Sequence, residues 1–344
     1  MAIIGLTKGF SIPAILISFS LLLTSCFIDD DNDYIFEYDT IVTEIPVNLA
    51  SINSQYDDYN SSLPYIAGSL PIVFSSNRKS EGANFDFVYE VIDVSYHERD
   101  NVLNFSYYLS PTNTFLEKLF PLVNTDKDEF GPYSYFDDIY DYFMYATNPE
   151  DNFDIKFTYT PRNDWTAPGG QQRIYGPFSA APLNSEYNDL YPTFQESEAR
   201  FYFCSDREDE TFSIYKVDLP STLPMHAFLT DLNHEAVVEK DLVLSSNGND
   251  KCPSISGDVL VFASDREGGF GGYDLYFSIW KDNQWSAPVN FGSDINSEYD
   301  EFRPITFSFA HLDVMIFSSN RPGGKGGFDL YSVIISKHLN PEAK

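Results

Sequence analysis

The sequence predicts an all-β fold, a five-bladed β-propeller closed by its own N-terminal strand. Three observations predict it. One hairpin recurs along the chain, a second motif precedes each copy, and the two ends of the chain complement each other.

The hairpin reads PIVFSSNRKSEGANFDFVY (71–89), RFYFCSDREDETFSIY (200–215), VLVFASDREGGFGGYDLYF (259–277) and VMIFSSNRPGGKGGFDLYS (314–332). Each copy is an apolar run ending in Ser-Asp/Asn-Arg, then a turn segment, then an aromatic run, which is the pattern of two antiparallel strands. In the last two copies Gly-Gly-x-Gly-Gly is expected to supply the positive φ of the loop. A weaker copy, YFMYATNPEDNFDIKF, lies at 142–157, with Pro149 where the others have Arg. No helix pattern follows the glycine-rich loops and no Lys-Ser/Thr closes them, so a nucleotide-binding loop is excluded.

The second motif precedes each hairpin as NSEYDEFRP (296–304), NSEYNDLYP (184–192), NTDKDEFGP (124–132) and SSNGNDKCP (245–253). The first copy, NSQYDD (53–58), reaches Pro64 after three extra residues. The prolines 64, 132, 192, 253 and 304 are separated by 68, 60, 61 and 51 residues, a spacing that suits propeller blades of four strands. The last hairpin has few residues after it and lacks an outer strand. IPVNLASIN (45–53) matches APVNFGSDIN (287–296) with a one-residue gap, so the N-terminal strand is expected to complete the last blade.

The N-terminus reads as an export signal. Lys8 is the one charge before Cys26, and the apolar run 12–23 is too short for a membrane span. Leu23-Thr24-Ser25-Cys26 resembles the bacterial lipobox. That resemblance implies a signal peptide over 1–25, lipidation at Cys26, an acidic tether over 26–40 and the propeller over 41–344. Several acyl chains on one cysteine hold firmly, each buried methylene adding about 0.8 kcal/mol. The cluster Asp29–Asp31 resembles the export signal of Bacteroidota surface lipoproteins, which implies a lipid-anchored outer-membrane protein at the cell surface.

The chain carries 21 basic and 52 acidic residues, a formal net charge of −31. Such a surface repels nucleic acid and favours cations or basic partners. Aromatics make up 17% of the residues, enough for a sizeable core despite the charge. Besides Cys26 there are only Cys204 and Cys252, expected to lie on one face within reach of a disulfide. The five histidines share no motif, and no Gly-x-Ser-x-Gly occurs.

The hairpin and lead-in together resemble the WD-repeat-like propeller of the TolB type, as found in Bacteroidota envelope proteins, over about residues 41–336. Members of that family are mostly interaction modules.

The candidate chemistry is repeated. The sixth residue of each lead-in is acidic: Asp58, Glu129, Asp189, Asp250 and Glu301. These carboxylates are expected to ring one face near the axis. Arg78, Arg207, Arg266 and Arg321 are expected to pair with them or with Asp86, Asp274 and Asp329. Five acids against four arginines leave an acidic excess, which would serve as a cation port or a docking ring, and calcium is the metal such oxygens suit. No cofactor is expected. Residues that break the repeat are the candidates for partner contact: Tyr133, Tyr135, Tyr140, Tyr142, Trp165 and Tyr175.

The expected function is a non-catalytic binding or scaffold subunit of an outer-membrane protein assembly. Hydrolytic acids should break a repeat, and these follow it. The alternative is a glycan-binding or glycoside-hydrolase propeller using axial carboxylates.

Overall fold

The computed structural model describes residues 36–63, 69–108, 113, 115–149, 152–162, 173–208, 210–232 and 236–339. Cys26, the signal peptide, the cluster Asp29–Asp31, Pro64 and Trp165 lie outside the described residues. Five antiparallel sheets follow one another as blades of a propeller.

In blade 1 the innermost strand β3 (Asp58–Ser62) is followed outward by β4 (Ser69–Ser76), β5 (Asp86–His97) and β6 (Val102–Tyr108). A fifth strand, β1 (Phe36–Val42), pairs with the outer edge of β6, so residues 36–40, expected in the tether, belong to this sheet. Blade 2 runs outward through β7 (Glu129–Phe136), β8 (Tyr140–Thr147), β9 (Asp154–Pro161) and β10 (Tyr175–Ser179). Blade 3 has β11 (Asp189–Gln195), β12 (Arg200–Ser205), β13 (Ser213–Asp218) and the short β14 (Glu239–Lys240). Blade 4 has β15 (Asp250–Ser256), β16 (Val259–Ser264) and β17 (Asp274–Lys281), edged by β18 (Gln284–Trp285) and β19 (Val289–Asn290). Blade 5 has β20 (Glu301–Phe309), β21 (Leu312–Ser319) and β22 (Asp329–Ile334).

The outer strand of blade 5 comes from the other end of the chain. In β2 (Val47–Asn48), Val47 pairs with Ser332 and Asn48 with Tyr331, and Leu49 N–H donates to Leu330 O. This closes the ring and leaves Leu49 fully buried.

The lead-in motif works between blades. Its first residue clamps the third strand of the preceding blade: Asn53, Asn184 and Asn296 each accept a backbone N–H, of Leu330, Ile155 and Leu275, and return an amide hydrogen to the same residue's carbonyl. Asn124 does the same to Phe87, and Ser245 to Ile214. The fifth residue, Asp57, Asp128, Asn188, Asn249 or Asp300, accepts the N–H of Phe328, Phe85, Phe153, Phe212 or Tyr273. The N–H of the next residue donates to the carbonyl of that same aromatic residue in all five blades. Fifteen backbone groups, ten N–H and five carbonyl, are thereby satisfied where strands of different sheets meet.

The glycine-rich loops serve the same contact. Only Gly268 and Gly323 have positive φ, 94° and 96°. At Gly271 and Gly326 a Cβ would run into backbone of the next lead-in, at Tyr299 and at Tyr56. Close approach, more than turn conformation, explains most of these glycines.

Every innermost strand also carries a bulge two residues after its acid, where Asn60, Gly131, Tyr191, Cys252 and Arg303 take left-handed φ values of 56°, 61°, 57°, 57° and 45°. Proline follows the bulge residue in four blades, and in blade 1 Ser61 stands there instead of the expected Pro64.

Deleting residues 43–49 removes the closing strand and exposes an edge of β22. Calorimetry should then show loss of the single cooperative transition or aggregation on heating. A deletion that melts like the intact chain would refute the closure.

Candidate functional site

The repeated acids are not an open ring. Asp58, Glu129, Asp189, Asp250 and Glu301 are all 0% exposed. Arg78, Arg207, Arg266 and Arg321 reach Asp58, Asp189, Asp250 and Glu301 at 2.6, 2.5, 2.5 and 2.8 Å. The same guanidinium NH2 donates to the carbonyl of Ile52, Leu183, Leu244 or Ile295 at 2.7 Å. A backbone N–H from the lead-in serine, Ser54, Ser185, Ser246 or Ser297, occupies the second carboxylate oxygen. Each arginine also lies over an aromatic ring of its own hairpin, Phe74, Phe203, Phe262 or Phe317. The expected cation port and docking ring are corrected on this ground: the oxygens are already engaged and no carboxylate faces solvent. Among the described residues no cluster of three or more His, Cys, Asp or Glu is placed to hold a metal.

Asp274 and Asp329 do not pair with the arginines. They fold their own loops, accepting N–H groups of Phe270 and Gly271, and of Lys325 and Gly326, and the side chains of Asn290 and Asn48. Asp86 sits near Lys79, and burial raises its pKa.

Blade 2 departs from this scheme. Thr147-Asn148-Pro149 replaces Ser-Asp/Asn-Arg, so Glu129 has hydrogen bonds from Thr125 and Thr147 but no guanidinium. Burial without a counter-charge pushes its pKa up to about 7.

Cys204 and Cys252 are buried free thiols, and no disulfide joins them. Burial pushes the Cys204 thiol up to about 12, so neither geometry nor ionisation points to thiol chemistry there.

The tyrosine-rich stretch of blade 2 contributes to two surface depressions near the end of the innermost strands. Asp137 tightens the β7–β8 turn by accepting the N–H groups of Ile139 and Tyr140, both at 2.7 Å. Of the expected contact residues, Tyr133 is tied down, its hydroxyl accepting Phe194 N–H at 3.0 Å. Tyr142 is buried, while Tyr140 and Tyr175 join an aromatic stack with Tyr159 and with His226 of the short helix Met225–Leu229. Tyr159 and Tyr175 lie 5.0 Å apart and nearly parallel.

Tyr135 is the residue shared by two adjoining depressions. One, about 300 Å³, is bounded by Phe136, Asp141, Tyr142, Thr158 and Arg162. The other, about 470 Å³, reaches blades 3 and 4 through Phe194, Glu196 and Asp258. Tyr135 packs edge-on against Phe194 at 4.9 Å. The carboxylates on its two sides differ. Asp141 is partly buried, which raises its pKa, while Arg162 at 3.4 Å works the other way. Glu196 is exposed. Arg162 itself lies over the Phe136 ring at 4.6 Å. Asp141, Arg162 and Glu196 were not legible as a site, because they come from separate strands and loops that only the fold brings together.

No protein-family model and no curated protein matches the chain. Solved structures do resemble it. A thermostable family-43 glycoside hydrolase aligns at 9% identity over 87% of this chain and 92% of its own, with a TM-score of 0.49. The α-L-arabinanase of Cellvibrio cellulosa aligns at 10% identity over 84% and 98%, TM-score 0.42. The catalytic domain of a Coprinopsis cinerea α-L-arabinofuranosidase aligns at 13% over 85% and 94%, TM-score 0.44. The likeness is one of propeller fold. The expected non-catalytic scaffold subunit and the exclusion of an enzyme find no support among these similar structures, which are glycoside hydrolases. The repeat argument against catalysis was made for the five enclosed acids; beside Tyr135, Glu196 falls outside the repeat, whereas Asp141 recurs as Asp258 and Asp313 in blades 4 and 5.

Glu129 gives a pH prediction. Its folded pKa, about 7, lies above the ordinary carboxyl value of 4.5, so the folded chain holds this proton more tightly. Its favourable contribution is complete below pH 4.5 and is lost as pH rises to about 7. Urea titrations of wild type and Glu129→Gln from pH 4.5 to 8 should diverge, the wild type losing about 1–3 kcal/mol relative to the variant. Pro149→Arg should restore part of that loss at pH 8. A wild-type-to-variant difference that does not change with pH would remove the buried-carboxyl account.

Proposed function

We propose that the protein acts on a glycan, and that the cleft around Tyr135 is where it does so. The observation that carries this reading is the flanking of one accessible aromatic ring by two carboxylates in unlike surroundings, Asp141 and Glu196. Tyrosine offers an apolar face for a sugar ring and a polar edge for its hydroxyls. Glycoside hydrolysis needs one carboxyl that holds its proton and one that does not. Asp141, raised by burial, suits the acid, and solvent-exposed Glu196 suits the base or nucleophile. The repeated acids and their arginine partners form a latch between segments, and the enclosure of these latch acids excludes them from that role.

Lipid anchoring at Cys26 and export to the cell surface belong to the same proposal. They would present the cleft to extracellular polysaccharide. Kinship of the repeat with the TolB type is likewise proposed, on the hairpin and lead-in motifs alone.

The test is depolymerisation and affinity electrophoresis against neutral and acidic polysaccharides, arabinan included. Tyr135→Ala should weaken retention about tenfold. Asp141→Asn and Glu196→Gln should each lower turnover at least 100-fold while leaving retention nearly unchanged. A glycan that is bound and cleaved equally by all three variants would place the site elsewhere. Retention without cleavage in the wild type would leave binding and remove hydrolysis.

A further inference from the structure

The propeller axis is filled by side chains that break the repeat. Arg303, in blade 5, is 1% exposed. It crosses the axis, donating to Pro132 O in blade 2 at 3.0 Å and to Pro253 O in blade 4 at 3.3 Å. Its guanidinium carbon lies 5.4 Å from the centre of the Tyr191 ring, in blade 3. The Nε–H has no partner.

Among the described residues the charge meets no carboxylate. The four latch arginines each meet a carboxylate. The ionisable groups that act on Arg303 are Cys252, Tyr191, Cys204 and Tyr133. Burial holds all four neutral: Cys204 and Tyr133 are pushed up to about 12, and Cys252 and Tyr191 are raised as well. An arginine stays protonated under such conditions, and a buried charge without a counter-ion costs several kcal/mol. A second orphan is close by. Asn60, of blade 1, is fully buried, and its side-chain amide has the Tyr191 hydroxyl as its neighbour without a well-aligned hydrogen bond to fill its donors.

We propose that the axis binds a small monovalent anion of chloride size, held by the guanidinium of Arg303 and the amide N–H of Asn60. The ion supplies the missing counter-charge and takes up donors without a well-aligned partner. All five axial positions, Asn60, Gly131, Tyr191, Cys252 and Arg303, are buried, which restricts the ligand to an ion of a few atoms. Carbonyls of two blades fix the guanidinium, so ion binding would join blades 1, 2, 4 and 5 at their centre. The site is independent of the Tyr135 cleft and stands or falls without it.

The test titrates chloride against gluconate at constant ionic strength and follows thermal unfolding of the full chain. A ligand that binds only the folded state raises Tm with the logarithm of its concentration, here by about 2 °C per tenfold above Kd. Crystals soaked in bromide should show an anomalous peak beside Arg303. Arg303→Met should abolish both signals. The proposal fails if the wild type shows no chloride dependence, if the axis holds water alone in bromide, or if Arg303→Met keeps the wild-type response. Should that variant not fold, the two wild-type measurements decide alone.

Discussion

The structure depends on one arrangement, the buried meeting of a lead-in acid with a serine and an arginine at the end of the neighbouring strand. A carboxylate at 0% exposure is stable only if its oxygens are engaged and its charge is met. In blades 1, 3, 4 and 5 the guanidinium meets that charge and also reaches a carbonyl just before the lead-in, so it stitches three segments together. A charge-assisted bond of this kind contributes about 1.5–3 kcal/mol where an exposed ion pair contributes 0–1. The acid in turn positions the lead-in, and the lead-in carries the side chains that grip the preceding blade. Closure of the ring follows from local geometry repeated five times.

Blade 2 tests that logic from inside the molecule. Without an arginine, Glu129 keeps its place through two threonines, and it does so with its proton held into the neutral range. The same blade carries the irregular tyrosines, and its acid is the one whose charge is not met. The blade with the weakest repeat is therefore also the blade that lines the cleft.

Much of the fold was legible because propeller blades repeat. The spacing of acids, serines and arginines gave the number of blades, and the match of 45–53 to 287–296 gave the closing strand. What a repeat does not reveal is which blade a side chain serves. Asn53 and Asp57 stand in the lead-in of blade 1, yet both bond to blade 5. The axial residues were invisible for a different reason. Asn, Gly, Tyr, Cys and Arg share no chemistry, and what repeats there is a backbone bulge, not a side chain. The aromatic stretch of blade 2 was legible as an irregularity, but composition could not separate buried Tyr142 from accessible Tyr135.

Repetition and function divide the carboxylates of this chain into two populations. The repeated ones were the natural candidates for a site, since they recur at one position in every blade and converge on one end of the ring. Their regularity is the reason they cannot serve. A residue needed in every blade is needed by the blade, and the folded chain encloses it at 0% exposure with donors on both carboxylate oxygens. Chemistry has to come from side chains the scaffold can spare. In the proposed site those are Asp141 and Glu196, at the opposite end of the innermost strands from the enclosed acids; Glu196 has no counterpart in the other blades, while Asp141 recurs as Asp258 and Asp313 without the enclosure. The enclosed acids thus belong to stability, and the cleft proposed to meet a glycan is lined by other carboxylates, Asp141 and Glu196.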